Sequence, residues 1–133
     1  MILVDTSVVL DLVRDDQEWQ GWSARALDAA AAREKPVING IVYAELSTQY
    51  RRIEALDAGL VALGLAVADI PKAALFLAGH AYARYRRAGG AKANVLSDFL
   101  IGAHAAVTEA TLLTRYPARI RSYFPAVALV CPP

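Results

Sequence analysis

The sequence predicts an α/β domain in which a central, mainly parallel sheet of short strands is flanked by helices. Short apolar runs alternate along the chain with longer stretches of helical periodicity, which is typical of this class. The first apolar run is followed at once by residues that begin helices, as in a strand–helix unit. The 133 residues contain no repeat or linker and are too few for two ordinary domains, so we expect one domain over residues 1–133.

The first half of the chain predicts three strands separated by helices. Residues 2–4 are apolar and predict a buried strand, after which Asp5-Thr6-Ser7 leads into a helix. An alanine-rich stretch with apolar spacing near 3.6 predicts a second helix. The predicted bounds are strands at 2–4, 37–38 and 65–67, and helices at 8–13, 18–33, from Asn39-Gly40 to 50, and 53–63.

The second half predicts two further strands and the helices around them. Pro71 suits the first turn of a helix that runs to about Arg87, and Gly89-Gly90 ends it in a loop that reaches Asn94. Ser97 is expected to cap the next helix. The remaining predictions are a helix at 98–109, a strand at 111–114, a turn or short helix at 117–123 and a strand at 127–130.

Composition favours a folded protein that works inside the cell. Hydrophobic residues make up 56% of the chain and charged residues 20%, which excludes intrinsic disorder. One cysteine excludes an internal disulfide and fits a reducing cytoplasm. The chain lacks a signal-peptide pattern and any apolar run long enough to span a bilayer, so we expect a cytoplasmic protein without membrane contact.

Three acidic residues stand near predicted helix starts. Asp5 comes directly after the first strand, Glu45 lies in the helix after the second strand, and Asp98 stands at the start of a later helix. Each has an ordinary explanation alone. Asp5 can cap a helix, Glu45 can lie on an exposed helix face, and Asp98 can favour a helix dipole. Their combination matters more, because the carboxyl ends of parallel strands meet at one edge of the sheet, where ligands bind.

Converging carboxylates predict a bound cation. Three such groups repel one another and cannot all stay ionised without a positive partner. Hard oxygen ligands suit Mg²⁺ or Mn²⁺, and such an ion can activate water against a phosphodiester. No cluster of histidine and cysteine offers a competing zinc site in the sequence. We therefore expect Asp5, Glu45 and Asp98 to be both catalytic residues and metal ligands.

Four short motifs resemble those of PIN domains, and of VapC-type ribonuclease toxins among them. They are Val-Asp-Thr-Ser-Val-Val-Leu at 4–10, Tyr-Ala-Glu-Leu at 43–46, Ser-Asp-Phe-Leu-Ile-Gly-Ala-His-Ala at 97–105, and Leu-Leu-Thr-Arg at 112–115 followed by Tyr-Phe-Pro at 123–125. The resemblance covers essentially the whole chain, in order and in register. It implies a Mg²⁺-dependent endoribonuclease toxin, a homodimer, and neutralisation by a VapB-type antitoxin. We also expect Thr6, Thr114 and Tyr116 as supporting residues beside the acids.

Tyr116 departs from that family pattern, in which the Thr-Arg dipeptide is usually followed by aspartate. Tyrosine is neutral at pH 7 and removes a fourth acid. Three interpretations stay open. The enzyme works with three acids and Thr114; or its activity is impaired, leaving a protein that acts by binding an antitoxin or RNA; or the substitution is tolerated because it disarms a toxic gene.

Arginines surround two segments of the chain, the Gly89-Gly90 loop and the residues around Tyr116. Such residues ordinarily form a solvated face, and Asp11 is likewise expected to be solvated, although it could approach the site from the first helix. The functional interpretation is that the arginines bind RNA phosphates beside the acids, with Tyr82, Tyr85 or Tyr116 stacking on bases. The residues predicted to contact RNA are Arg84, Arg86, Arg87, Lys92, Arg115 and Arg119.

Overall fold

Five parallel strands form one sheet in the computed structural model of the chain, which describes residues 1–91 and 95–133, and its order is β3-β2-β1-β4-β5. The strands are β1 Ile2–Val4, β2 Pro36–Asn39, β3 Ala66–Ala68, β4 Thr111–Leu113 and β5 Leu129–Val130. The helices are α1 Thr6–Val13, α2 Gln20–Arg33, α3 Gly40–Ser47, α4 Ile53–Ala62, α5 Lys72–Arg87, α6 Leu96–Thr108 and α7 Ala118–Tyr123. The predicted α/β class with a mainly parallel, helix-covered sheet is confirmed.

The central strand β1 is buried along its whole length, as its unbroken apolar sequence requires. Leu3 pairs with Val37 on one side and with Leu112 on the other, so β1 lies between β2 and β4 in parallel register. All three strands therefore end at the same edge of the sheet. The residues that follow them, Asp5 after β1 among them, are brought together there.

The turn from β2 into α3 is held by a buried asparagine. Asn39 Oδ1 accepts hydrogen bonds from the backbone N–H groups of Ile41 and Val42, both at 3.0 Å, which caps α3. Its Nδ2 lies 3.2 Å from Nδ1 of His104 on α6. Burial lowers the pKa of His104, so the ring is neutral, and the amide donor requires Nδ1 to be the acceptor. This pair ties the end of β2 to α6.

The start of α6 differs from the prediction. Ser97 was expected at its N-cap, but the helix begins at Leu96 with Val95 as N-cap, and no side chain caps it. The prediction was wrong because a valine that precedes a helix carries no capping signal. The loop predicted to run from Gly89 to Asn94 includes residues 92–94, which lie outside the described residues. None of the helices that the structure describes is long and apolar enough to cross a membrane.

A close contact between α6 and α7 depends on a glycine. A Cβ added at Gly102 would lie 2.6 Å from the Phe124 ring and 2.9 Å from Ile120 Cδ1. Both neighbours are buried, so neither can move away freely. The helix that carries Asp98 is thus seated directly on the segment that follows β4.

We predict that Gly102→Ala destabilises the protein by about 1 to 3 kcal/mol, because the added methyl overpacks this contact. Gly79→Ala is the matched control, since Gly79 is also helical but a Cβ there meets nothing within 4 Å. The control should leave stability unchanged or raise it by up to about 1 kcal/mol. Urea unfolding followed by circular dichroism measures both. Equal midpoints for the two variants would contradict the packing described for Gly102.

Candidate active site

Asp5 occupies the N-cap position of α1, yet its side chain does not cap the helix. Its Oδ2 instead accepts hydrogen bonds from Ser7 Oγ and Thr114 Oγ1, each at 2.7 Å. Ser7 Oγ in turn accepts from the backbone N–H of Arg115 at 3.2 Å, and Thr114 Oγ1 from that of Tyr116 at 3.1 Å. Each hydroxyl therefore donates its single hydrogen to the carboxylate, which can only accept, and accepts from one backbone N–H. Among the described residues, none donates to Asp5 Oδ1.

Glu45 lies half-buried on α3 and faces the same junction. Thr6 Oγ1 donates to Glu45 Oε1 at 2.6 Å, and Thr6 itself is buried in the first turn of α1. Thr6 and Thr114, both expected as supporting residues, thus each donate a hydrogen bond to one of the predicted acids. One carboxylate oxygen of Glu45 is held by this bond, which fixes the direction of the side chain.

Asp98 lies in the first turn of α6 and is held by a cation. Arg119 Nη1 donates to Asp98 Oδ2 at 2.5 Å, and the side chains are 26% and 44% exposed respectively. The guanidinium of Arg119 also lies over the Tyr85 ring, 5.4 Å from its centroid. Asp98 lies in the first turn of α6, as expected, where its negative charge interacts favourably with the helix dipole. The ion pair with Arg119 of α7 stabilises it further.

All three acids line one cleft of about 600 Å³ at the carboxyl end of the sheet. Thr114, Arg115, Tyr116 and Arg119 also line it. Among residues 1–91 and 95–133, however, no three histidine, cysteine, aspartate or glutamate side chains are close enough together to hold one metal ion. A shared ion for Asp5, Glu45 and Asp98 thus stays a prediction.

The chemistry of the cleft nevertheless fits a hard divalent cation. The groups in it that could bind a metal are carboxylates and hydroxyls. Both offer oxygen ligands of the kind that Mg²⁺ and Mn²⁺ prefer. Asp5 Oδ1 receives no hydrogen bond from the described residues and keeps its lone pairs. Among residues 1–91 and 95–133, Asp98 is the one acid of the three with a cationic partner, so a cation bound at Asp98 Oδ2 would compete with Arg119.

Asp11, one of whose two expected positions was near the site on the first helix, pairs with Arg115 of the cleft lining. The expectation that it is solvated was wrong: its side chain is 3% exposed and pairs with Arg115. Arg115 Nε and Nη2 donate to its two oxygens at 2.7 and 2.9 Å, and Ser23 Oγ donates to Oδ2 at 2.7 Å. The signal available in the sequence was helical spacing, since Asp11 follows Ser7 by four residues and shares its face of α1.

The residues predicted to bind RNA occupy two different places. Arg84, Arg86 and Arg87 are exposed in the last turn of α5 and are not among the described residues that line the cleft. Arg119 lies in the cleft, and two of the three guanidinium nitrogens of Arg115 already donate to Asp11. Lys92 lies outside the described residues. RNA contact by all six stays a prediction.

We predict that Asp11→Asn destabilises the fold by about 3 kcal/mol, because it leaves the partly buried Arg115 without its counter-charge. Glu54→Gln is the matched control, since Glu54 forms an ion pair with Arg52 in which both side chains are largely exposed. Exposed pairs contribute little, so the control should leave the unfolding midpoint nearly unchanged. Urea titration compares the two. A small effect of Asp11→Asn would show that the pair does not hold the cleft.

Comparison with known proteins gives the family and the fold of the chain. The sequence pattern of the PIN domain family matches residues 2–116, and the chain belongs to that family, whose members are generally nucleases. No curated protein shows significant sequence similarity to it.

Several solved structures share the fold. VapBC2 from Rickettsia felis, bound to a DNA fragment from its promoter, has a similar chain at 22% identity and TM-score 0.72, with 98% of each chain covered. VapBC-1 from nontypeable Haemophilus influenzae gives 17% identity and TM-score 0.69, again over 98% of each chain. A toxin–antitoxin complex from Klebsiella pneumoniae gives 21% identity and TM-score 0.68 over 96% of each. At these identities the likeness establishes the fold.

Proposed function

We propose that this protein is a VapC-type toxin that cuts RNA with the help of Mg²⁺ or Mn²⁺. The observation that carries the proposal is that Asp5, Glu45 and Asp98 line one cleft at the carboxyl ends of parallel strands, beside Arg119. Membership of the PIN domain family supports nuclease chemistry. The likeness to VapBC structures and to a toxin–antitoxin complex supports the toxin class.

The residues around the three acids have separate roles in such a site. A bound divalent cation would supply an activated water and neutralise charge on the phosphodiester. Ser7 and Thr114 hold Asp5 Oδ2, which leaves Oδ1 for the cation, while Thr6 orients Glu45. Arg119, displaced from Asp98, would meet a phosphate oxygen in the same cleft, where its planar fork of donors fits well.

A second candidate function has its own support. Arg119 already neutralises Asp98, and Tyr116 stands where a fourth acid is usual in VapC-type sequences. On this alternative the cleft binds an antitoxin or RNA without cutting. The two candidates differ in whether metal produces cleavage, so one assay separates them.

The assay is cleavage of a labelled pool of structured and single-stranded RNA in Mg²⁺, Mn²⁺ or EDTA. We expect metal-dependent cutting by the natural chain and a loss of about 100-fold or more in Asp5→Asn, because a ligand should matter at least as much as its supporting groups. Asp28→Asn, an exposed acid on α2, is the matched control and should cut normally. Cutting that appears only in Tyr116→Asp would favour the binding function.

The proposed partners are a VapB-type antitoxin and a second copy of the chain. The antitoxin proposal is supported by the complexes among the structural neighbours. Dimerisation is supported by a hydrophobic share of 56% and by exposed Val61 and Val67, at 78% and 51%. Light scattering at tens of micromolar should give twice the mass of one chain, and a monomer mass would contradict the dimer.

A further inference from the structure

Tyr116 is a large aromatic side chain exposed at the mouth of the cleft. It is 65% exposed and lines the same cavity as Asp5, Glu45 and Asp98. The function proposed above treats it only as a missing acid. Its ring nevertheless offers a flat apolar face beside the carboxylates, which is the feature that a nucleic-acid base can use.

An anchored arginine backs the Tyr116 ring. The guanidinium carbon of Arg115 lies 5.0 Å from the Tyr116 centroid and 4.8 Å from that of Trp19, and its Nη1 donates to Tyr116 Oη at 3.2 Å. Burial acts to lower the pKa of Arg115, but the bonds to and the charge of Asp11 outweigh it and raise the pKa. Arg115 therefore remains a cation, fixed in position by a buried carboxylate.

Hydrogen bonds place the backbone of Tyr116 relative to Asp5. The N–H of Tyr116 donates to Thr114 Oγ1 at 3.1 Å, and Thr114 Oγ1 donates to Asp5 Oδ2 at 2.7 Å. Pro117 follows directly and restricts the backbone of Tyr116 to extended conformations. Two hydrogen bonds and one proline therefore set the backbone of Tyr116 against Asp5, and the bond from Arg115 Nη1 to its Oη holds the ring, so little order has to be gained when a ligand binds.

We propose that Tyr116 is a stacking platform for one unpaired RNA base, held next to the phosphate that the acidic cleft receives. The inference rests on the proposed function and names its substrate class as single-stranded or looped RNA. Stacking on an aromatic ring accepts any base, because every base has a π-face. A base inside a duplex is already stacked on both sides and does not reach the ring. Tyr116 thus selects unpaired nucleotides.

The test uses short single-stranded RNAs that each carry one 2-aminopurine, a base whose fluorescence falls when it stacks. EDTA prevents cutting, so binding is measured alone. We expect quenching at one position of the RNA, a rise in Kd of about tenfold in Tyr116→Ala, and near-normal binding in Tyr116→Phe, which keeps the ring. Phe76→Ala is the matched control, since Phe76 is 71% exposed on α5 and outside the cleft lining.

A duplex of the same sequence should bind equally to the natural chain and to Tyr116→Ala. Equal losses on duplex and single strand would overturn the proposal, because they would indicate a general surface effect. Unchanged single-strand binding by Tyr116→Ala, or quenching that persists in it, would also overturn it.

The outcome is separable from that of the proposed function, because it does not depend on cleavage. Quenching that depends on Tyr116 without any metal-dependent cutting would support the stacking proposal and contradict the proposed nuclease function. Cutting that depends on Asp5 without such quenching would support the nuclease function and contradict the stacking proposal. In an active enzyme, Tyr116→Ala should raise KM for single-stranded RNA with little change in kcat, since the ring binds without touching the reacting atoms.

Discussion

Two hydroxyl groups bound to one oxygen of Asp5 organise the site at the end of β1. Ser7 belongs to α1 and Thr114 follows β4, so their bonds to Oδ2 join the two sides of the cleft. Each hydroxyl also accepts a backbone N–H from the Arg115-Tyr116 segment, which fixes that segment against the central strand. Asp5 occupies an N-cap position without capping α1, and its carboxylate is committed to this network.

Charge balance is the second constraint on the cleft. In the part of the chain that the structure describes, two arginines line it and they are bound differently: Arg115 is held by the buried Asp11, whereas Arg119 pairs with a half-exposed Asp98. A buried bidentate pair is costly to break, while an ion pair near solvent is weak and can exchange. Arg115 is therefore held beside the Tyr116 ring, whereas Arg119 can exchange its carboxylate partner for another anion more easily.

Much of this arrangement was predictable from the sequence because parallel topology is a strong constraint. Asp5 follows β1 and Glu45 lies in the helix after β2, so both were expected at one edge of the sheet. They line one cleft together with Asp98, although among the described elements α6, which carries Asp98, follows α5 and not a strand. The Asp11–Arg115 pair was not predictable, because the two residues are 104 positions apart and the helical spacing of Asp11 from Ser7 does not identify its partner. Ser97 was assigned the cap of α6 wrongly, since a favourable residue type near a helix start does not fix where the first turn begins.

The most direct test of the account is a crystal structure of the protein grown with Mn²⁺, with the metal located by its anomalous scattering. The account predicts one peak or more in the cleft, contacted by oxygens of Asp5, Glu45 and Asp98, with Arg119 moved away from Asp98. A cleft without manganese at saturating concentration, and Arg119 still paired with Asp98, would contradict the assignment of these acids as a metal site.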